Sequence, residues 1–312
     1  MDPSMVPTYI RPYFGISGYQ VSIISLLSIP LNIYFFYRCL TYSKFKERKF
    51  FKYMIMIMSL EYICASIFHL IFYLYISIHY YTNSQVNVKT CSKLESIHYG
   101  SNQILNMTLL YLNIIRFYKI VYNEKPNIIV MGLTVLITMG PFLYLLIGKF
   151  FEINIYFVPR QGCGYSIYSK LPFYKYITYG SILMNLIYSS LSLIINYVIY
   201  RIVVKKTSVS NKAKINDNKS VFWSVAIQSL FPFCYQVPAT IYYFVFLILQ
   251  GKKVTEIEIF LNLLFYSGHL LSIFLSLVVI KHFKIMMLND FGCKSITDSI
   301  PITQVRAKSM FL

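Results

Sequence analysis

The stretch CSKLESIHYGSNQILNMTLLYLNIIRFYKI, residues 91–120, decides how the chain is to be read. From 96 to 115 it holds no charged residue. At about 1.5 Å per residue, that interval is long enough to cross a hydrocarbon core ~30 Å thick. Yet it carries His98, Asn102, Asn106 and Asn113, with Arg116 directly after it. Successive separations of 4, 4, 7 and 3 place these five on one helical face. Polar groups in a span face other helices rather than lipid, because hydrocarbon leaves them unpaired. The stretch predicts a membrane helix that belongs to a bundle.

Six more uncharged intervals surround it, at 12–37, 62–88, 126–148, 176–200, 220–251 and 259–280. Hydrophobic residues make up 57% of the chain and charged ones 13%, against roughly a quarter charged in a soluble domain. The predicted fold is an all-α membrane protein, a single seven-transmembrane helix bundle over 1–312. Its spans fall at approximately 19–41, 53–76, 91–121, 128–148, 176–203, 220–249 and 257–280. No cleavable leader is expected, since the first 18 residues hold Asp2 and Arg11 and lack an apolar core. The first span then serves as its own insertion signal.

The net charge of +18 is distributed by side. With the amino terminus outside, 20 of the 29 Lys and Arg residues fall on cytosolic ends and loops, among them Lys44, Lys46, Arg116, Lys205, Lys206, Lys212 and Lys214. Acidic residues split evenly, leaving Glu61 within a span. This asymmetry is the positive-inside pattern. It predicts 1–18 as an extracellular amino terminus and 281–312 as a cytosolic tail. Basic loops beside anionic lipid account for the charge, so membrane lipid is the expected partner and nucleic acid is not. The sequons at Asn106 and Asn218 fall in a span and a cytosolic loop, where glycosylation is not expected.

Of six cysteines, Cys39, Cys64 and Cys234 lie in or at spans and Cys293 is cytosolic. Cys91 and Cys163 fall on the extracellular side, one in each loop flanking the third and fourth spans. On an oxidising face they are natural disulfide partners. The bridge would tie the loop from Lys149 to Lys175 to the top of the third helix.

With these residues in view, the chain resembles a G-protein-coupled receptor of rhodopsin-like topology. Cys91 precedes Arg116 by 25 residues, the spacing of the outer cysteine and inner arginine of the third helix in that family. The segments LNIIRFYKI and QSLFPFCYQVPATIYYF, in a Tyr-, Phe- and Ile-rich chain, look like those of nematode serpentine chemoreceptors, class V or a related group. The resemblance implies a small odorant or pheromone-like ligand, a heterotrimeric G protein, and the plasma membrane or a sensory cilium. It also implies that Arg116 and Phe117 meet the G protein. The family pattern is incomplete. Ile115 stands where an acidic residue usually precedes the arginine, and the seventh span lacks N-P-x-x-Y. The sixth lacks the C-W-x-P tryptophan; its CYQVP places Gln236 two residues before Pro238.

Depth divides the polar stripe. His98 and Asn102 lie within about 17 Å of Cys91 along a helix axis, reachable from outside, and are candidate ligand contacts with Asn106 and Gln236. Interhelical hydrogen bonding is the other reading of the same residues. Glu61 is expected to be protonated or paired with Asn32 of the first span, and a neutral structural role is the other reading; the resemblance implies that this pair belongs to an activation network with the kinks at Pro232 and Pro238. His69 and His269 read as single packing histidines. KHFKIMML, residues 281–288, has the composition of an amphipathic helix on the membrane, with Cys293 available for palmitoylation. No H-E-x-x-H, G-x-S-x-G or phosphate loop occurs, so neither an enzyme nor a cofactor is expected. A seven-helix transporter or ligand-gated odorant channel is the alternative. The transporter should show repeated halves, and the channel the reverse orientation.

Overall fold

The computed structural model describes residues 8–47, 49–153, 169, 171–207, 212–242, 244–245 and 254–292. They form α1 (Ile16–Thr41), the short α2 (Lys44–Glu47), α3 (Lys49–Tyr81), α4 (Val88–Val121) and α5 (Ile128–Phe150). Next come α6 (Tyr174–Thr207), α7 (Lys212–Ile241), α8 (Thr255–Val278) and α9 (Lys281–Asp290). Among the described residues, α1, α3, α4, α5, α6 through Lys205, and α8 are long and apolar enough to cross a membrane. This is an all-α, multi-pass membrane bundle. The region predicted as the sixth span forms α7 as far as Ile241; its predicted end at 249 lies outside the described residues.

The helices close into a ring around α4. Helix α1 packs on α3 and α8, α8 on α7, α7 on α6, and α6 on α5 and α4. Helix α4 also touches α3, α5 and α7. This central position explains its composition: a helix contacted on nearly every side can carry polar groups without presenting them to lipid. At Gly100 an added Cβ would come within 3.1 Å of Phe142 Cζ, so the missing side chain allows α5 to approach.

Several helices outrun the predicted spans because capping groups carry them past the apolar run. The Asn87 side chain accepts from the backbone N–H groups of Lys89 (3.0 Å) and Thr90 (3.2 Å), starting α4 three residues before Cys91. Helix α3 continues to Tyr81, and Asn83 then turns the chain at φ 52°. Asparagine tolerates this left-handed conformation better than most residues.

The short α2 and a two-stranded ribbon were not predicted. β1 (Tyr9–Ile10) pairs antiparallel with β2 (Val86–Asn87), joining Tyr9 to Asn87 and Ile10 to Val86. This ribbon ties the amino-terminal segment across the start of α4, over buried Phe14, Val86 and Cys91. Two paired residues are too few for alternation to register in a sequence.

The opposite, basic end is closed by aromatic packing. Phe45, Phe51 and Phe283 stack, with the Phe45 and Phe283 ring centres 4.1 Å apart. Asp290 accepts from Tyr34 at 2.6 Å and pairs with Arg38. KHFKIMML is helical, and its Phe283, Met286 and Met287 are buried against the bundle. Cys293 lies outside the described residues.

Candidate functional site

The five stripe residues of α4 are all buried, but they do not form one site. The helix crosses different neighbours along its length, and the stripe divides between them.

The half nearer the ribbon joins α4 to α1, α3 and α8. The ring centre of His69 lies 4.5 Å from that of His98 and 5.3 Å from that of His269. Thus three histidines from three separate spans meet, whereas the sequence alone presents His69 and His269 as single packing residues. His69 Nε2 lies 3.0 Å from Asn102 Oδ1, and its Nδ1 lies 3.5 Å from Ser25 Oγ. An amide oxygen can only accept, so this geometry puts the His69 proton on Nε2 and leaves Nδ1 to accept from Ser25. Tyr266 Oη bonds His98 Nε2 at 3.1 Å, while Phe72 and Tyr73 cover the His98 ring. Among the described residues, Nδ1 of His98 and Nδ1 of His269 have no hydrogen-bond partner. The imidazoles meet as stacked and edge-on rings. Among the described residues, no group of three or more His, Cys, Asp or Glu side chains is placed to hold a metal ion.

Below this cluster, Asn32 and Glu61 do not meet as expected. The Asn32 amide donates to the carbonyls of Ser28 (2.8 Å) and His269 (3.1 Å), fastening α1 to the α8 backbone. Glu61 instead accepts from Thr108 of α4 at 2.6 Å. Each group has a neighbour on a different helix, α8 for Asn32 and α4 for Glu61. Similar depth in the sequence was not enough to pair them. Asn106 is buried on the same face of α4.

The half nearer the basic end joins α4 to α6 and α7. Asn113 Nδ2 donates to Ser192 Oγ at 2.5 Å and lies 3.4 Å from Ser229 Oγ. The two serine hydroxyls are 3.3 Å apart. One turn on, Arg116 Nη1 donates to Asn196 Oδ1 at 2.8 Å. Arg116 is 7% exposed and Asn196 1%. A signal for these partners was present in the sequence: Ser189, Ser192 and Asn196 recur at helical spacing within SSLSLIIN, on the buried face of α6.

Other predicted residues are more scattered. Phe117 is half-buried, and its ring meets Tyr118 and Tyr122 of its own helix rather than the Arg116 cluster. Gln236 is buried on α7, and Pro232 and Pro238 lie inside that helix. Cys91 is disulfide-bonded; its predicted partner, Cys163, lies outside the described residues. Cys39, Cys64 and Cys234 are free thiols. At the ribbon end Glu152, in a left-handed turn at φ 57°, bridges Lys89 (2.6 Å) and Lys93 (2.9 Å) of α4. Hydrogen bonds from Lys89 and Lys93 hold its carboxyl below the ordinary carboxylate range.

No protein-family model matches the chain, and no curated protein matches it.

Proposed function

We propose that the chain is a chemosensory G-protein-coupled receptor of the plasma membrane, non-enzymatic and without a cofactor. In this reading it spans seven times, with the ribbon end outside and the basic end in the cytosol. The observation that carries the proposal is the division of α4. One continuous helix holds a buried polar cluster against α3 and α8 near one end, and another against α6 and α7 near the other. A small molecule that rearranges the His69–His98–Asn102–Tyr266 group displaces the same rigid helix whose other end holds Arg116. Such a helix can couple two sites if the bundle has two packings that the ligand binds unequally.

The resemblance supplies the ligand class, an odorant or pheromone-like molecule, and the partner, a heterotrimeric G protein at the Arg116 end. Two tests address this reading. Epitopes before Thr8 should label on intact cells and those after Ser309 only after permeabilisation. Reversed labelling would overturn the receptor in favour of an odorant channel. Expressed with a panel of G-protein sensors, the chain should respond to extracts of odour sources. Ligand-dependent uptake or current without any sensor response would favour the transporter or channel.

A further inference from the structure

Arg116 is a buried cation whose own helix offers no acid before it: Ile115 occupies that position. The structure instead provides a neutral amide from another helix, with the guanidinium donating to Asn196 Oδ1 at 2.8 Å. Asn196 has its other amide atom, Nδ2, without a partner among the described residues. Its contact with Arg116 is thus the side-chain hydrogen bond that Asn196 makes among the described residues. Ser192, one turn earlier on α6, receives the Asn113 amide, so two successive turns of α4 are pinned to two successive turns of α6. On α7, Gln228 is fully buried, and neither of its amide atoms has a partner among the described residues. At the junction itself Asn113 Oδ1 and Asn196 Nδ2 are without partners among the described residues, a poor condition for a single permanent packing.

We propose that Asn196 holds Arg116 in the closed bundle, acting as a neutral lock between α4 and α6 in place of an ionic one. This rests on the receptor reading for its consequence, ligand-free signalling, but not for the lock itself. A neutral acceptor holds a buried guanidinium less strongly than a carboxylate does. The closed and open packings therefore lie closer in free energy than they would with an acid at the same place, and the receptor signals appreciably without ligand. Opening separates the inner ends of α4 and α6 and lets water reach Arg116.

The sign of each substitution follows. Asn196→Asp turns the lock into a charge-assisted pair and should lower ligand-free signalling by roughly tenfold. Asn196→Leu leaves the guanidinium buried with no acceptor in the closed state only, and should raise it by a similar factor. A residue needed only for packing would not give opposite effects with these two replacements. In an Arg116→Ala background the two replacements should no longer differ in the spacing of α4 and α6, because the lock has lost its other half.

The spacing of the helices provides a readout that needs no G protein. Spin labels would be placed at Lys119→Cys on α4 and Val204→Cys on α6, both exposed, with Cys39, Cys64, Cys234 and Cys293 changed to Ala. In purified protein in lipid nanodiscs, Asn196→Asp should narrow the distance distribution toward its short end. Asn196→Leu should populate the long end. Identical distributions in the parent, Asn196→Asp and Arg116→Ala proteins overturn the lock, whatever the signalling assay shows, and this comparison does not depend on Asn196→Leu folding. If the distances shift as expected but no G-protein sensor responds even to the parent chain, the lock stands and the receptor reading fails.

Discussion

Asn102→Leu tests whether the histidine cluster fastens helices or merely fills space. Asn102 Oδ1 is the acceptor, at 3.0 Å, for the Nε2–H of a His69 that is fully buried. Leucine has nearly the same shape but accepts nothing, so the imidazole N–H loses its partner in the middle of the bundle. A buried donor left unsatisfied costs about 1–3 kcal/mol in soluble proteins, while interhelical hydrogen bonds in membranes average about 0.6 and reach about 1.7. Ser25 Oγ lies 3.5 Å from Nδ1, at the limit of a hydrogen bond, and a shift of the proton to Nδ1 would still leave Nε2 without a partner. The expected loss is therefore about 1.5 kcal/mol, roughly a tenfold fall in the folded-to-unfolded ratio. Adding His69→Phe removes the donor as well and should restore most of the loss, since replacing both partners with apolar groups is close to neutral. Unfolding by SDS titration can be followed with a fluorogenic maleimide at Cys39, a buried free thiol. Cys64 and Cys234, both exposed, and Cys293 would first be changed to Ala. If the double variant loses the sum of the two single losses, His69 and Asn102 are uncoupled and the account of the cluster is wrong.

Three other perturbations probe the ends of the bundle. Cys91→Ser and Cys163→Ser should each lower surface expression, with the double variant little worse than either; two thiols open to alkylation in native membranes would dismiss this pairing. Glu152→Gln should loosen the ribbon end. Because the folded carboxyl titrates below its ordinary value of about 4.3, wild type should hold its thermal advantage fully above that pH and lose it as pH falls through the lower folded value. A gap between wild type and variant that persists unchanged in strong acid would exclude the Lys89 and Lys93 bridges as its source. Arg116→Ala should reduce signalling at equal surface density, and Ile115→Asp should quieten ligand-free signalling by pairing with Arg116; normal signalling by Arg116→Ala would remove its coupling role.

The helices were legible in the sequence because a membrane imposes a rule on each segment separately. An uncharged run of sufficient length must satisfy its own backbone, and polar residues spaced along one face must turn from lipid. On that basis the intervals around α1, α3, α4, α5, α6 and α8 were readable, as was the burial of His98, Asn102, Asn106, Asn113 and Arg116. Periodicity also implied that Arg116 faces inward, and Ile115 showed that no acid precedes it.

Which groups meet across helices was not readable, because a helical period fixes a direction around one axis and says nothing about the offset or crossing of its neighbours. Glu61 found Thr108 and not Asn32; His69, His98 and His269 converged from positions far apart in the chain. Arg116 found its acceptor 80 residues away. Only packing sets the register of α4 against α3, α8 and α6, and that register determines whether each buried polar group is an isolated packing residue or part of a site.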